Sequence, residues 1–286
     1  MYAVKLTLQI GGNLCMINAD YAGGMNMLCC PVCSEPLIVE NKRAACKNGH
    51  CFDVAKEGYL NLLLSNRSGD KIGDDKFSAR CRRDFLNKGY YKPLRDYLLE
   101  LFREKQGTLL DICCGEGYYG SALAELENIQ VYGFDISKEM VRLAAKRGKG
   151  TFFVANFASI PVRNESFDYA IHLFAPFQEK NFARVLKSGG RLYTVVPGSH
   201  HLFGLKQALY DVPYVNDEQL PATENLKLIS REKITADICL ENPEDIDAVF
   251  RMTPYYFHTS QSDKDKLKAF SKLDTPIEFV IGCYEK

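Results

Sequence analysis

Cys30, Cys33, Cys46 and His50 stand in the spacing C-x2-C-x12-C-x3-H. Three thiolates and one imidazole close a tetrahedral zinc site and leave no open coordination position, so the expected ion is structural. The two-residue gap lets two sulfurs reach one ion from a tight turn, and Gly49 gives the second turn backbone freedom. Cys29 and Cys51 break the paired spacing and fall outside the ligand set. A lone CxxC would fit buried or redox-active thiols as well; the second knuckle decides for zinc. So small a module buries little apolar surface, and metal is expected to supply much of its folding free energy. Cys15, Cys81, Cys239 and Cys283 are scattered and read as small buried hydrophobes.

A second set of residues surrounds a glycine turn. Leu109 to Gly120 (LLDICCGEGYYG) reads as a strand, a turn carrying Gly115 and Gly117, and a helix. Dinucleotide enzymes and many unrelated loops share such a turn. Asp111 at the strand end narrows the choice, because a carboxylate suits a cationic, amino-acid-bearing ligand where a pyrophosphate would need unopposed N–H groups. Asp135 ends the next strand and is placed to accept hydrogen bonds from ribose hydroxyls. Asn156, after a third strand, is placed to reach an adenine edge, with Phe157 beside the ring. In this order the residues point to S-adenosylmethionine and methyl transfer. Cys113 stands where the first glycine of such turns usually lies.

The elements that position these groups alternate. Short apolar runs at TLLDI, QVYGFDI, TFFVAN, FDYAIHLF and RLYTVVP are separated by helical stretches, notably SKEMVRLAAKRG and QEKNFARVLKSGG. The expected fold is α/β, a Rossmann-like class I methyltransferase sheet with a small N-terminal zinc-binding module. ENLKLISREKI and IEFVIGCYEK are expected to add strands at the sheet edge. We divide the chain into a leader of unassigned role (1–27), the zinc module (28–64), a linker with two helices broken at Gly89 and Pro93 (65–105), and the methyltransferase domain (106–286).

Composition excludes little. Lys plus Arg and Asp plus Glu number 36 each, so no global basic excess announces a nucleic acid. The stretch from Lys76 to Arg95 is nevertheless basic, and reads equally as a solvated helix face or as a phosphate-binding patch. No apolar run is long enough to span a bilayer, and the first residues lack the pattern of a secretory signal. The expectation is a cytoplasmic protein with no membrane partner.

With these residues in view, the chain resembles the bacterial 23S ribosomal RNA (guanine-N1)-methyltransferases of the RlmA type, a family that includes a tylosin-resistance relative. CPVC, CKNGHCFDVAKEGYLNLL, ARCRRDFLNKGYYKPLRD, LDICCGEGYY, HLFAP, VPGSHHLFGLK and RMTPYY carry the resemblance, from about Leu28 to the C-terminus. It implies zinc on Cys30, Cys33, Cys46 and His50. It also implies cofactor contacts from Tyr91, Tyr119, Gly120 and His201, with His200 competing for the last role. The implied partner is a hairpin of 23S ribosomal RNA, met by the zinc module beside the catalytic cleft. Arg80 to Arg83, Lys42 and Arg43 are candidates for its phosphates. Phe174 and Phe177 are candidates to stack on a splayed guanine or, equally, packing residues. A homodimer joined through the zinc modules is compatible with the sequence and not required by it.

The implied reaction is in-line attack of guanine N1 on the sulfonium methyl group, with a group that accepts the N1 proton. His172, His201 and Glu179 are all candidates for that role, and the sequence does not choose among them. HLFAP after the fourth strand is not the Asn/Asp-Pro-Pro-Tyr/Phe segment that serves exocyclic amino groups. Two other readings stay open: a small-molecule methyltransferase, and a nonenzymatic zinc-dependent RNA-binding protein.

Overall fold

The computed structural model describes residues 27–64 and 76–286. The expected leader therefore lies outside the described residues apart from Met27, as does the polar part of the linker. Strands β1 (Ile38–Glu40), β2 (Arg43–Ala45) and β3 (Cys51–Asp53) form a small antiparallel sheet in that order. Asn41 and Lys42 join β1 to β2 with φ of 49° and 61°. Two consecutive left-handed residues make the hairpin turn whose twist matches its strands, and asparagine is suited to the first position.

Eight strands form the second sheet: β4 (Leu60–Asn61), β5 (Gly107–Ile112), β6 (Ile129–Asp135), β7 (Thr151–Val154), β8 (Phe167–Leu173), β9 (Leu186–Pro197), β10 (Lys227–Leu240) and β11 (Leu273–Glu285). Their spatial order is β10-β11-β9-β8-β5-β6-β7-β4. Neighbours from β4 through β9 run parallel, and β11 is antiparallel to both β9 and β10. The order reverses at β5, between β6 and β8. In open α/β sheets a ligand crevice forms beyond the carboxyl ends of the strands at such a reversal.

Eight α-helices are described: α1 (Lys76–Asn87), α2 (Lys92–Phe102), α3 (Gly120–Leu123), α4 (Lys138–Arg147), α5 (Glu179–Val185), α6 (Phe203–Leu209), α7 (Pro243–Arg251) and α8 (Gln261–Lys266). Pro93 sits in the first turn of α2, where its missing N–H costs nothing. Ser137 caps α4 by accepting the Met140 N–H.

The structure corrects two expectations. The helix read through QEKNFARVLKSGG stops at Val185, and Leu186 already begins β9, paired with Phe167. Val185 and Leu186 are fully buried, and Gly189 takes a φ of 74° that a helix does not allow. The last strand is not at the sheet edge: β11 lies between β9 and β10, and of these two C-terminal strands only β10 is an edge. Burial explains the choice, since β11 is covered along most of its length, whereas the charged first half of β10 is exposed.

The zinc-module segment shares the body of the larger unit. Its strand β4 pairs in parallel with β7 through Leu60↔Phe153. Leu28 bridges to Val162, and the Cys29 N–H donates to Pro161 O at 2.8 Å. Leu28, Leu37 and Ala44 are completely or almost completely buried in one apolar cluster with Leu110, Tyr132 and Phe153 from the large sheet. α1 and α2 cover the other face, where Phe85, Leu94, Leu98 and Phe102 pack with Tyr193 and Phe279.

Candidate active site and metal centre

The ligand atoms of Cys30, Cys33, Cys46 and His50 all lie within 4.8 Å of one another, the expected set and no other among the described residues. Cys33 Sγ and Cys46 Sγ are 3.6 Å apart, and Cys46 Sγ is 3.4 Å from His50 Nδ1. A tetrahedral zinc with bonds of about 2.3 Å to sulfur needs neighbouring sulfurs about 3.8 Å apart. Donor set and spacing therefore fit zinc. Gly49 adopts a φ of 84° with open space around its Cα, so backbone conformation, not crowding, calls for glycine. Cys51 points away, its thiol on Gly49 O at 3.5 Å.

A cavity of about 390 Å³ opens at the carboxyl ends of β5 and β6. Asp111, Gly115, Tyr119 and Asp135, four of the expected contacts, line it together with Phe157. Asp111 is 2% exposed and its Oδ2 has no hydrogen-bond partner. Burial, reinforced by the charge of Asp135, pushes its carboxyl up to about 8, against a lowering by the Gly120 N–H. A side chain at Gly120 would overlap this carboxylate, and one at Gly117 would meet Ala144 Cβ at 2.8 Å. Neither glycine lines the cavity; both are empty at Cβ so that the turn can close on Asp111 and α4. Cys113 holds a φ of 58°, the left-handed conformation that favours glycine.

Asp135 Oδ2 accepts the Gly115 N–H at 3.0 Å, and Oδ1 accepts the Ser137 N–H at 2.9 Å. An ionised carboxylate offers about four acceptor sites, so these bonds orient it without exhausting it. Asn156 does not line the cavity. Its Oδ1 accepts the Ala158 N–H at 2.9 Å and caps the short 3₁₀ turn that carries Phe157.

Tyr91 and His201 are both buried, behind the cavity wall. Their rings pack with Phe174 and Phe279, and Phe174, 43% exposed with a φ of 56°, is the member of this group that reaches the cavity. Phe177 instead packs among His172, Phe182 and Tyr284.

None of the three candidate proton acceptors lines the cavity. Glu179 Oε1 takes the N–H groups of Glu224, Asn225 and Leu226, holding the chain before β10. His172 is 2% exposed with Nε2 on Pro176 O at 3.3 Å, and burial lowers its pKa to about 4. Burial likewise lowers His201 to about 4.

Arg82, Leu86 and Glu116 also line the cavity; sequence reasoning offered Arg82 only as part of a basic stretch for RNA phosphates and did not single out the other two. Glu116 is 1% exposed and paired with Arg147. Its position between two turn glycines was the available signal. Arg82 and Leu86 are four apart on α1, on the same helix face, a pattern visible in the sequence without its partner.

Two family models match the chain: "RlmA, N-terminal" over residues 28–67 and a methyltransferase domain over residues 109–190. The chain is 30% identical over 250 residues to the 23S rRNA (guanine(748)-N(1))-methyltransferase of Streptomyces fradiae, covering 83% of this chain and 87% of that protein. It is also 34% identical over 197 residues to YxjB of Bacillus subtilis (strain 168), provisionally named a 23S rRNA (guanine-N(1)-)-methyltransferase, covering 65% of this chain and 69% of that protein.

Proposed function

This chain belongs to the 23S rRNA (guanine-N(1))-methyltransferase family, and from that membership we propose that it methylates N1 of a guanine in a hairpin loop of 23S ribosomal RNA. Its cofactors are S-adenosylmethionine and zinc. The observation that carries the reading is the joining of the four-ligand cluster to the sheet that builds the cavity, through β4 and the shared apolar cluster. A methyltransferase acting on a small metabolite has no use for that added module.

When bound, S-adenosylmethionine supplies an electrophilic methyl group on a positively charged sulfur. In our reading Asp111 takes the ammonium of its amino-acid end, Asp135 takes the ribose hydroxyls, Gly115 lets the turn approach, and Gly117 and Gly120 let that turn close on α4 and Asp111. Tyr119 and Phe157 border the cofactor, and Asn156 acts by shaping the turn that presents Phe157. Tyr91 and His201 hold the wall behind Phe174. Phe174 is the aromatic group at the cavity against which a splayed guanine stacks. Much of the rate gain then comes from orienting two bound reactants in a partly dry cavity. Cys30, Cys33, Cys46 and His50 hold zinc, and the module they close supports the RNA beside the cleft, with Lys42, Arg43 and Arg80 among its phosphate contacts.

The protein acts in the cytoplasm, where its RNA is made; among the described residues no helix is long and apolar enough to cross a membrane. Incubation with labelled cofactor and unmodified 23S RNA tests the reading. The expected result is label in one guanine and a primer-extension stop there, because N1-methylation blocks base pairing. Label in small metabolites alone, or RNA binding without transfer, overturns it.

A further inference from the structure

We propose that Arg82 receives the α-carboxylate of the cofactor's amino-acid end and thereby selects a ligand with an intact amino-acid tail. The proposal rests on reading the cavity as that of S-adenosylmethionine. Three carboxyl groups, Asp111, Glu116 and Asp135, line this cavity, and Arg82 is the one cation among its described lining residues. An anion entering a space lined by carboxyl groups finds no favourable partner unless a cation faces it. The cofactor carries such an anion one bond from the carbon that bears its ammonium.

Location agrees with charge. The positive charge of Arg82 is felt by Glu116 and Tyr119, which lie in the turn between Asp111 and Gly120. An ammonium on Asp111 would therefore leave its neighbouring carboxylate on the Arg82 side, away from Asp135 and the ribose end. The other guanidinium groups nearby do not line the cavity. Arg147 binds the Glu116 carboxylate, donates to Glu116 O at 3.1 Å and to Asn87 Oδ1 at 2.8 Å, and lies over the Tyr118 ring. Arg95 also packs over Tyr118, at 5.2 Å, and does not line the cavity. Leu86, one turn beyond Arg82, lines the same cavity, so one face of α1 closes over the ligand with an apolar contact and a charge.

Calorimetry on the full chain with two ligands tests this. One is adenosylhomocysteine; the other is its decarboxylated analogue S-adenosyl-3-thiopropylamine, which keeps the ammonium and lacks only the carboxylate. Arg82→Gln should weaken adenosylhomocysteine about 10- to 100-fold and change the analogue's affinity by less than about threefold. Arg82→Lys, which keeps the charge and loses the fork, should fall between. Equal losses for both ligands in Arg82→Gln, or no loss for adenosylhomocysteine, overturn the proposal. Melting curves without ligand establish that each variant is folded, and Arg82→Lys provides the comparison if Arg82→Gln is not. Wild-type protein that bound neither compound would remove the cofactor reading itself, a different failure.

Discussion

Tyr91 Oη lies 3.0 Å from His201 Nε2, across 110 positions of sequence, while His201 Nδ1 accepts the Glu278 N–H at 3.2 Å. A ring nitrogen that accepts an N–H carries no proton of its own, so the neutral imidazole must hold its proton on Nε2. That proton is donated to the tyrosine oxygen. Tyr91 thus accepts from a histidine that stays neutral, and its own hydroxyl hydrogen is left to donate elsewhere.

This arrangement has a signature in acid. His201 titrates near 4 in the folded protein, against about 6.5 unfolded. Between those values the unfolded chain binds the extra proton, so stability is complete above about pH 6.5 and is lost as pH falls toward 4. Asp111 slopes the opposite way, because its folded value is raised, and the two partly cancel in the wild type. The informative quantity is the difference between wild type and His201→Gln. Urea unfolding should show that difference growing in favour of the wild type from pH 4 to 6.5, by up to roughly 3 kcal/mol, and levelling above. A difference that does not change across this window would mean that the ring is not held neutral.

Replacing Cys33 with alanine removes one of four zinc ligands and leaves too few to fix the two knuckles. Bound zinc, measured by elemental analysis, should fall from about one ion per chain to near zero. Loss should reach beyond the module, because Leu28, Leu37 and Ala44 share a cluster with the large sheet. We expect a lower melting temperature for the whole protein. Full metal content in the variant would exclude the assignment of Cys33.

The reach of sequence reading follows from how local each feature is. Cys30, Cys33, Cys46 and His50 were legible because ligand spacing on tight turns needs no knowledge of the remaining chain. Asp111 and Asp135 were legible because each ends a strand next to a turn. Arg82 was legible only as part of a basic stretch, because the carboxyl groups that line the cavity with it lie about 30 to 50 residues away and only the fold brings them there. Leu60–Asn61 looked like the tail of the zinc module, since a two-residue strand has no periodicity to announce the parallel partner it finds in β7. The short helices α6 and α8 went unread for the same reason.

Asp135 has two tasks, and substitutions should separate them. Asparagine keeps an oxygen for the Gly115 or Ser137 N–H and loses the charge; alanine leaves both donors without their partner. Asp135→Asn should therefore bind adenosylhomocysteine about tenfold more weakly with a nearly unchanged melting temperature. Asp135→Ala should weaken binding further and also cost about 1–3 kcal/mol of stability. Wild-type affinity in both variants, measured by calorimetry, would remove Asp135 from the cofactor site.

Asp111 couples cofactor affinity to pH. With its carboxyl pushed up to about 8, the ligand-free protein at pH 7 holds it mostly protonated, whereas a cationic ammonium is received by the carboxylate. Binding must then expel a proton. Affinity for adenosylhomocysteine should rise close to tenfold per pH unit from about 6 toward 8 and flatten beyond. Calorimetry at pH 7 in buffers of different ionisation enthalpy should count nearly one proton released per ligand bound. Asp111→Asn, which is neutral throughout, should bind more weakly and release none. If the wild type releases no proton at pH 7, either the carboxylate is already ionised in the empty cavity or the ammonium goes elsewhere, and Asp111 loses the role that its burial and its unpartnered oxygen assign to it.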